Sequence, residues 1–177
     1  MKRLTRVFPV IAILLGAAMF VACTDETTAP DVPQFAKAGA LTTEYTYCKP
    51  QPYTYSGGWI GPKGGVLQAG KNVLKVPPGA LDNRVFITME TMAEDINHVV
   101  LGPEGLAFSN KSVPRLLMSY QNCSVPTGSQ QKVAYVNNVL NVVEVTPSST
   151  DPVDQVVEGK LSHFSDYVLL STYAVVY

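Results

Sequence analysis

Histidine, cysteine and charge are all scarce in this chain. Two histidines and three cysteines among 177 residues leave little material for a metal cluster or a histidine-rich catalytic centre, and neither metal nor cofactor is expected. Charged side chains make up 15% of the chain and sum to −1. That balance does not point to nucleic acid, whose phosphates call for a concentrated basic face. No Gly-x-Ser-x-Gly elbow, complete Gly-x-x-x-x-Gly-Lys-Ser/Thr loop or Cys-x-x-Cys pair occurs, so the common hydrolase, nucleotide and zinc-finger signatures are missing. Glu94, Asp95 and His98 fall within five residues, but three hard ligands without a fourth read as a solvated turn. Asp166 beside Ser165 is no triad, because neighbours on a strand point to opposite faces. What is abundant is apolar material: 46% hydrophobic residues can build a core, and the length suits one domain with a small appendage.

The first segment reads as an address. Lys2, Arg3 and Arg6 precede a run from Val7 to Ala22 that holds no charge. A basic start, an apolar middle and a small residue before a cut site are the parts of a secretory signal. The run carries Pro9 and is sixteen residues long, short of the roughly 20 that span a bilayer. Phe20-Val21-Ala22-Cys23 resembles a bacterial lipobox, with Phe20 where that pattern prefers Leu. The resemblance implies that residues 1–22 are removed and that Cys23 is lipidated; the alternative is an ordinary signal peptide followed by an incidental cysteine. Acyl chains on Cys23 are then the expected membrane attachment, since two or more give stable anchoring. Losing Lys2, Arg3 and Arg6 takes the net charge from −1 to −4, which disfavours direct adhesion to an anionic membrane. Thr24 follows the cysteine rather than the Asp of an inner-membrane retention signal, so the outer membrane is the expected location. Residues 24–40 are rich in Thr, Ala, Pro and acids with no apolar period. They cannot bury enough surface to offset their ordering entropy and read as a tether. The expected division is 1–22 signal, 23–44 lipidated cysteine and linker, and 45–177 domain.

Beyond Cys23 the cysteines are Cys48 and Cys123. In an exported chain they read as one disulfide, with two separately buried thiols as the alternative. From residue 41 onward no helical period survives three turns. Short runs of Val, Ile, Tyr and Thr alternate with Gly, Pro, Asn and Asp. Strands are expected over 85–92, 116–120, 133–136, 140–146, 155–161 and 167–176, with Asn137-Asn138 as a tight turn. In the first of these, Val85, Ile87 and Met89 share one face, with Thr88 and Glu90 on the other. Many short strands with regular turn signals predict an all-β chain, folded as a single β-sandwich or barrel.

Three ordered phrases go further: Gly64-Gly65-Val66-Leu67 followed by Leu74-Lys75-Val76-Pro77-Pro78-Gly79-Ala80-Leu81; Gly102-Pro103-Glu104-Gly105-Leu106-Ala107-Phe108; and Ser162-His163-Phe164-Ser165-Asp166-Tyr167. Together they resemble the ZU5 domain, over about residues 57–175. Where that family places a Pro-Val pair entering a strand, this chain has Val113-Pro114. The resemblance implies a β-sandwich, and it lends meaning to His163-Phe164-Ser165. In some ZU5-containing scaffolds such a triplet, with an aromatic residue where Tyr167 stands, marks self-cleavage between Phe and Ser. Ser165 Oγ would attack the Phe164 carbonyl in an N→O acyl shift with His163 as base, and a strained peptide would be needed. The plainer reading makes Phe164 core and His163 a hydrogen-bonded residue near a sheet edge.

Tyr45, Tyr47, Tyr53, Tyr55 and Trp59 place five aromatics within fifteen residues. On a strand they either form a face that binds a protein or a glycan, or close an open end of the sandwich. Packing is the preferred expectation. The function expected is that of a lipid-anchored, non-enzymatic interaction or structural module of the cell envelope, with self-cleavage or carbohydrate binding as alternatives.

Overall fold

The computed structural model describes residues 41–108 and 112–175. The expected signal, Cys23 and the tether over 24–40 lie outside them. Among the described residues twelve strands run in chain order: β1 Leu41–Tyr45, β2 Thr54–Ile60, β3 Gly65–Ala69, β4 Asn72–Val76, β5 Val85–Thr91, β6 His98–Gly102, β7 Arg115–Ser119, β8 Gln130–Val136, β9 Val142–Val145, β10 Ser148–Asp151, β11 Val156–Lys160 and β12 Asp166–Ala174. One sheet has the order β2-β5-β6-β12-β8-β9, with β1 also on β12, and the other has β10-β11-β7-β4-β3. Every pairing is antiparallel. The described residues form an all-β sandwich of two sheets.

The core lies where the inner faces meet. Ile87 and Met89 of β5, Val99 and Leu101 of β6, Leu74 of β4, Leu116 and Met118 of β7 and Leu169 of β12 are all essentially inaccessible. The expected alternation of β5 holds, with Ile87 and Met89 turned inward. β12 is buried on both faces: Tyr167 and Leu169 join the main core, while Val168 and Leu170 join a smaller cluster with Ile96, Ala134 and Val136. An unbroken apolar run, Tyr167 to Leu170, is what such a strand needs. Buried polar groups link the sheets. Asn72 Nδ2 donates to Thr91 Oγ1 and Asn97 Oδ1 at 3.1 and 2.8 Å, and Asn97 Nδ2 donates to Asn72 Oδ1 and the Ser119 carbonyl at 2.9 and 2.7 Å. Satisfied in this way, the amides carry little of the penalty of an unpaired buried polar group.

Cys48 and Cys123 form the disulfide, across an antiparallel bridge between the segments that follow β1 and β7. Two expectations need correction. The linker reading of 23–44 ends too late, because residues 41–44 belong to β1, which pairs with β12 from Leu41↔Ala174 to Tyr45↔Leu170. Polar Thr and Glu suit that strand, whose outer face is solvated. The strand expected over 140–146 begins at Val142 and stops at Val145, and Ser148 starts a strand of the other sheet. The turn before it is organised by one asparagine side chain. Asn137 Oδ1 accepts the Val139 and Asn141 amides at 3.1 and 2.9 Å, and the positive φ falls on Leu140, at 60°.

The glycine phrase has a local cause. Gly64 has φ +73°, and a Cβ there would stand 2.3 Å from the Val76 carbonyl oxygen. No side chain fits between the start of β3 and the end of β4.

Candidate functional site

Two of the expected sites lie among described residues and can be built from their strands. The first is the triplet. His163 bridges Ala107 just ahead of β12, and Phe164 is wholly buried, edge-on to Phe108 with ring centroids 4.9 Å apart. The surrounding backbone is held by several hydrogen bonds. Phe164 N–H donates to the Leu106 carbonyl at 3.1 Å, the Leu101 amide donates to the Ser165 carbonyl at 3.0 Å, and Tyr167 Oη donates to the His163 carbonyl at 2.6 Å. Burial pushes the Tyr167 hydroxyl far above the ordinary tyrosine range, so it remains a donor.

His163 Nδ1 lies 3.3 Å from the Phe164 carbonyl oxygen, and it is this atom rather than the Ser165 hydroxyl that it addresses. The same oxygen accepts the Gly105 amide at 2.9 Å. With the Nδ1–H tautomer the Phe164 carbonyl has two donors on it, an arrangement that polarises a carbonyl. The base-on-hydroxyl geometry expected from the sequence is absent. None of the three residues has positive φ; among the described residues the non-glycine ones that do are Asn122, Leu140 and Gln155. Tyr135 stands edge-on to His163 at 4.8 Å, and the triplet borders an open groove of about 340 Å³ with Glu104 and Gly105.

His98, on β6, is buried between carboxylates: Nδ1 lies 3.2 Å from Glu94 Oε2, and Nε2 lies 3.7 Å from Asp166 Oδ2. Burial raises the Asp166 pKa above the ordinary carboxylate value; His98 opposes the shift, while Glu104 and Glu90 add to it. Asp95 contributes its carbonyl to the Cys48 amide at 2.6 Å. Among the described residues no group of three or more His, Cys, Asp or Glu has metal-binding geometry.

The second site is aromatic, and here the packing expectation is corrected. Only Tyr45 is partly buried, against the smaller cluster, with its hydroxyl donating to the Leu140 carbonyl. Tyr47, Tyr53, Tyr55 and Trp59 are all at least half exposed, Trp59 at 60%. Tyr55 and Trp59 alternate with Gly57 on the outer face of the edge strand β2, and Trp59 pairs with Phe86 of β5. The Trp59 and Phe86 rings meet edge to face at 5.5 Å, and the Arg84 guanidinium lies 5.4 Å above the Trp59 ring. Tyr55 and Phe86 lean over Gly57, where a Cβ would stand 2.7 Å from Tyr55 Oη and 3.0 Å from Phe86 Cζ. Tyr53 Oη donates to Glu90 Oε2 at 2.8 Å, and that bond raises the hydroxyl's pKa.

The result is a continuous platform of Tyr55, Phe86, Trp59 and Arg84, flanked by Tyr53. Tyr45 and Tyr47 are not among its contacts. Sequence reasoning missed Phe86 and Arg84. The signal was present, because Phe86 occupies the polar phase of β5, ahead of Thr88 and Glu90, and a large aromatic there has no core to enter. The chain matches no protein-family model and no curated protein.

Proposed function

We propose that this β-sandwich is a ZU5-like, lipid-anchored module of the cell envelope that works by binding rather than by catalysis, through the platform on β2 and β5. The observation that carries the reading is the exposure of Tyr55, Trp59 and Phe86 side by side on the outer face of β2 and β5. Scattered apolar side chains on a surface need no explanation, but a contiguous aromatic group backed by arginine is the composition of a recognition surface. Rigid rings lose little entropy on binding. The anchoring half of the proposal rests on the lipobox-like Phe20-Val21-Ala22-Cys23 and on the tether-like composition of 24–40.

Each half has its test. In a bacterium that processes lipoproteins, the full chain incorporates labelled fatty acid and sediments with the outer membrane, and Cys23→Ser abolishes the label. Retention of label without Cys23 refutes the anchor. The Tyr55→Ser/Trp59→Ser variant keeps its melting temperature within about 2 °C, the range of surface changes away from packing. A collapse of stability would return the rings to a packing role. Glycan binding lost in the same variant would identify the partner as carbohydrate.

A second reading, self-cleavage between Phe164 and Ser165, is supported by the Gly105 amide and, in the Nδ1–H tautomer, His163 both donating to the Phe164 carbonyl. Attack by Ser165 Oγ would form an ester at that oxygen and free the Ser165 amine, and water would then split the ester. The hydrogen-bonded carbonyls of His163, Phe164 and Ser165 and the absence of left-handed φ at the triplet favour the non-catalytic reading.

A further inference from the structure

The outer face of the second sheet carries a feature invisible in the charge balance. Lys75 of β4 pairs in register with Arg115 of β7, and Arg115 pairs with Lys160 of β11. Three cations on adjacent strands therefore stand in one cross-strand row, with Val66 of β3 continuing it beyond Lys75. Neighbouring strands are about 4.8 Å apart, so the row of charges spans roughly 10 Å. Like charges directly opposite one another destabilise a sheet. Only Arg115 has an ion-pair partner, Glu158 Oε1 at 3.1 Å; Lys75 and Lys160 have none among the described residues. With Lys63, the row lines an open groove of about 590 Å³ whose apolar walls include Val66, Pro77 and Val113.

We infer that this groove binds an acidic saccharide, with its anionic groups on Lys75, Arg115 and Lys160 and its C–H faces on the apolar walls. The chemistry of the lining selects the class. Backbone groups of β4 and β7 are committed to the sheet, so lysine and arginine offer donors almost alone. An acceptor-rich ligand fits, whereas the amides of an extended peptide would find few acceptors. Among the described residues no aromatic ring lines the groove, so the bases of a nucleic acid would lack their stacking platform. The cations line a concavity, where a flat lipid surface has poor access. A cluster of repelling charges in a chain of net −1 is a stability cost that a bound polyanion relieves. The inference is independent of the anchor and of the aromatic platform.

The test is calorimetric titration of the full chain, in non-ionic detergent, with an oligogalacturonate, using its methyl ester as the neutral counterpart. The acid form binds, the ester does not, and added salt weakens the affinity. The Lys75→Gln/Lys160→Gln variant loses at least tenfold. The Lys75→Arg/Lys160→Arg variant retains binding. Lys71→Gln/Lys132→Gln, which removes the same charge elsewhere, stays within twofold, as does Tyr55→Ser/Trp59→Ser. Thermal unfolding of each variant checks that its fold is intact. Equal binding of the ester, or equal losses in the row and control variants, overturns the inference. So does equal or tighter row-dependent binding of polyglutamate, single-stranded DNA or anionic phosphatidylglycerol vesicles, each of which would assign the groove to another class.

Discussion

Asp166 stands at the start of β12 with its carboxylate 3.7 Å from His98 Nε2, and burial raises its pKa. Linkage gives that shift a sign. A group whose folded pKa is raised contributes stability that is present below its unfolded value, near 3.8, and is lost as pH climbs through the folded value. At neutral pH the ionised Asp166 is therefore a net burden. Asp166→Asn raises the melting temperature at pH 7, and the gain shrinks as pH falls toward 4, read by thermal scans of both proteins across that range. A loss of stability at pH 7 would mean that the His98 contact outweighs the desolvation. At the same scale, His163 shows why a motif is not a mechanism. Its place two residues before Ser165 in the chain was plain, but its nitrogen lies on the Phe164 carbonyl, with the ring packed against Tyr135.

Among the elements, β12 bears most on function. It pairs with β8 along one side and with β6 and then β1 along the other, and it is buried on both faces. A break between Phe164 and Ser165 would leave β12 non-covalently held, its ladders intact, so native gels and scattering would not report it. Denaturing intact-mass measurement does. One full-length mass, the same in wild type and Ser165→Ala, is expected from the binding reading. Loss of Ser165–Tyr177 in wild type alone would select self-cleavage. Element boundaries were the least legible part of the sequence. β1 was hidden because Leu41-Thr42-Thr43-Glu44 has little apolar content and relies on β12 for its pairing. The strand expected over 140–146 stops before Pro147, which lacks a ladder donor, but β10 beyond it was hidden because Ser148-Ser149-Thr150-Asp151 has no apolar content.

For the whole molecule the disulfide is the long-range tie. It joins residues 75 apart, and in the chain-entropy model closing such a loop stabilises by about 4 kcal/mol. The Cys48→Ser/Cys123→Ser variant unfolds at lower denaturant, by an amount corresponding to about 2–4 kcal/mol, and reductant shifts the wild type toward it. An unchanged midpoint would show that the bond adds nothing to a fold already closed by its sheets. Its partners were legible only by elimination among three cysteines; their meeting depends on β1 and β7 delivering Cys48 and Cys123 to one bridge.

The amino-acid sequence by itself determined the class of this protein. Period-two alternation and turn residues are local properties, so the inward set of β5, the unbroken run of β12 and the glycine at position 64 could be read directly along the chain. Tertiary structure alone decided the surfaces. Phe86 met Trp59, and Lys75, Arg115 and Lys160 met one another, through registers between strands 27 to 45 residues apart for these pairs. Register is set by the joint burial of two sheets and not by any segment of the chain. A charge total near zero therefore concealed a row of cations, and five aromatics close in sequence were divided between the fold and its surface.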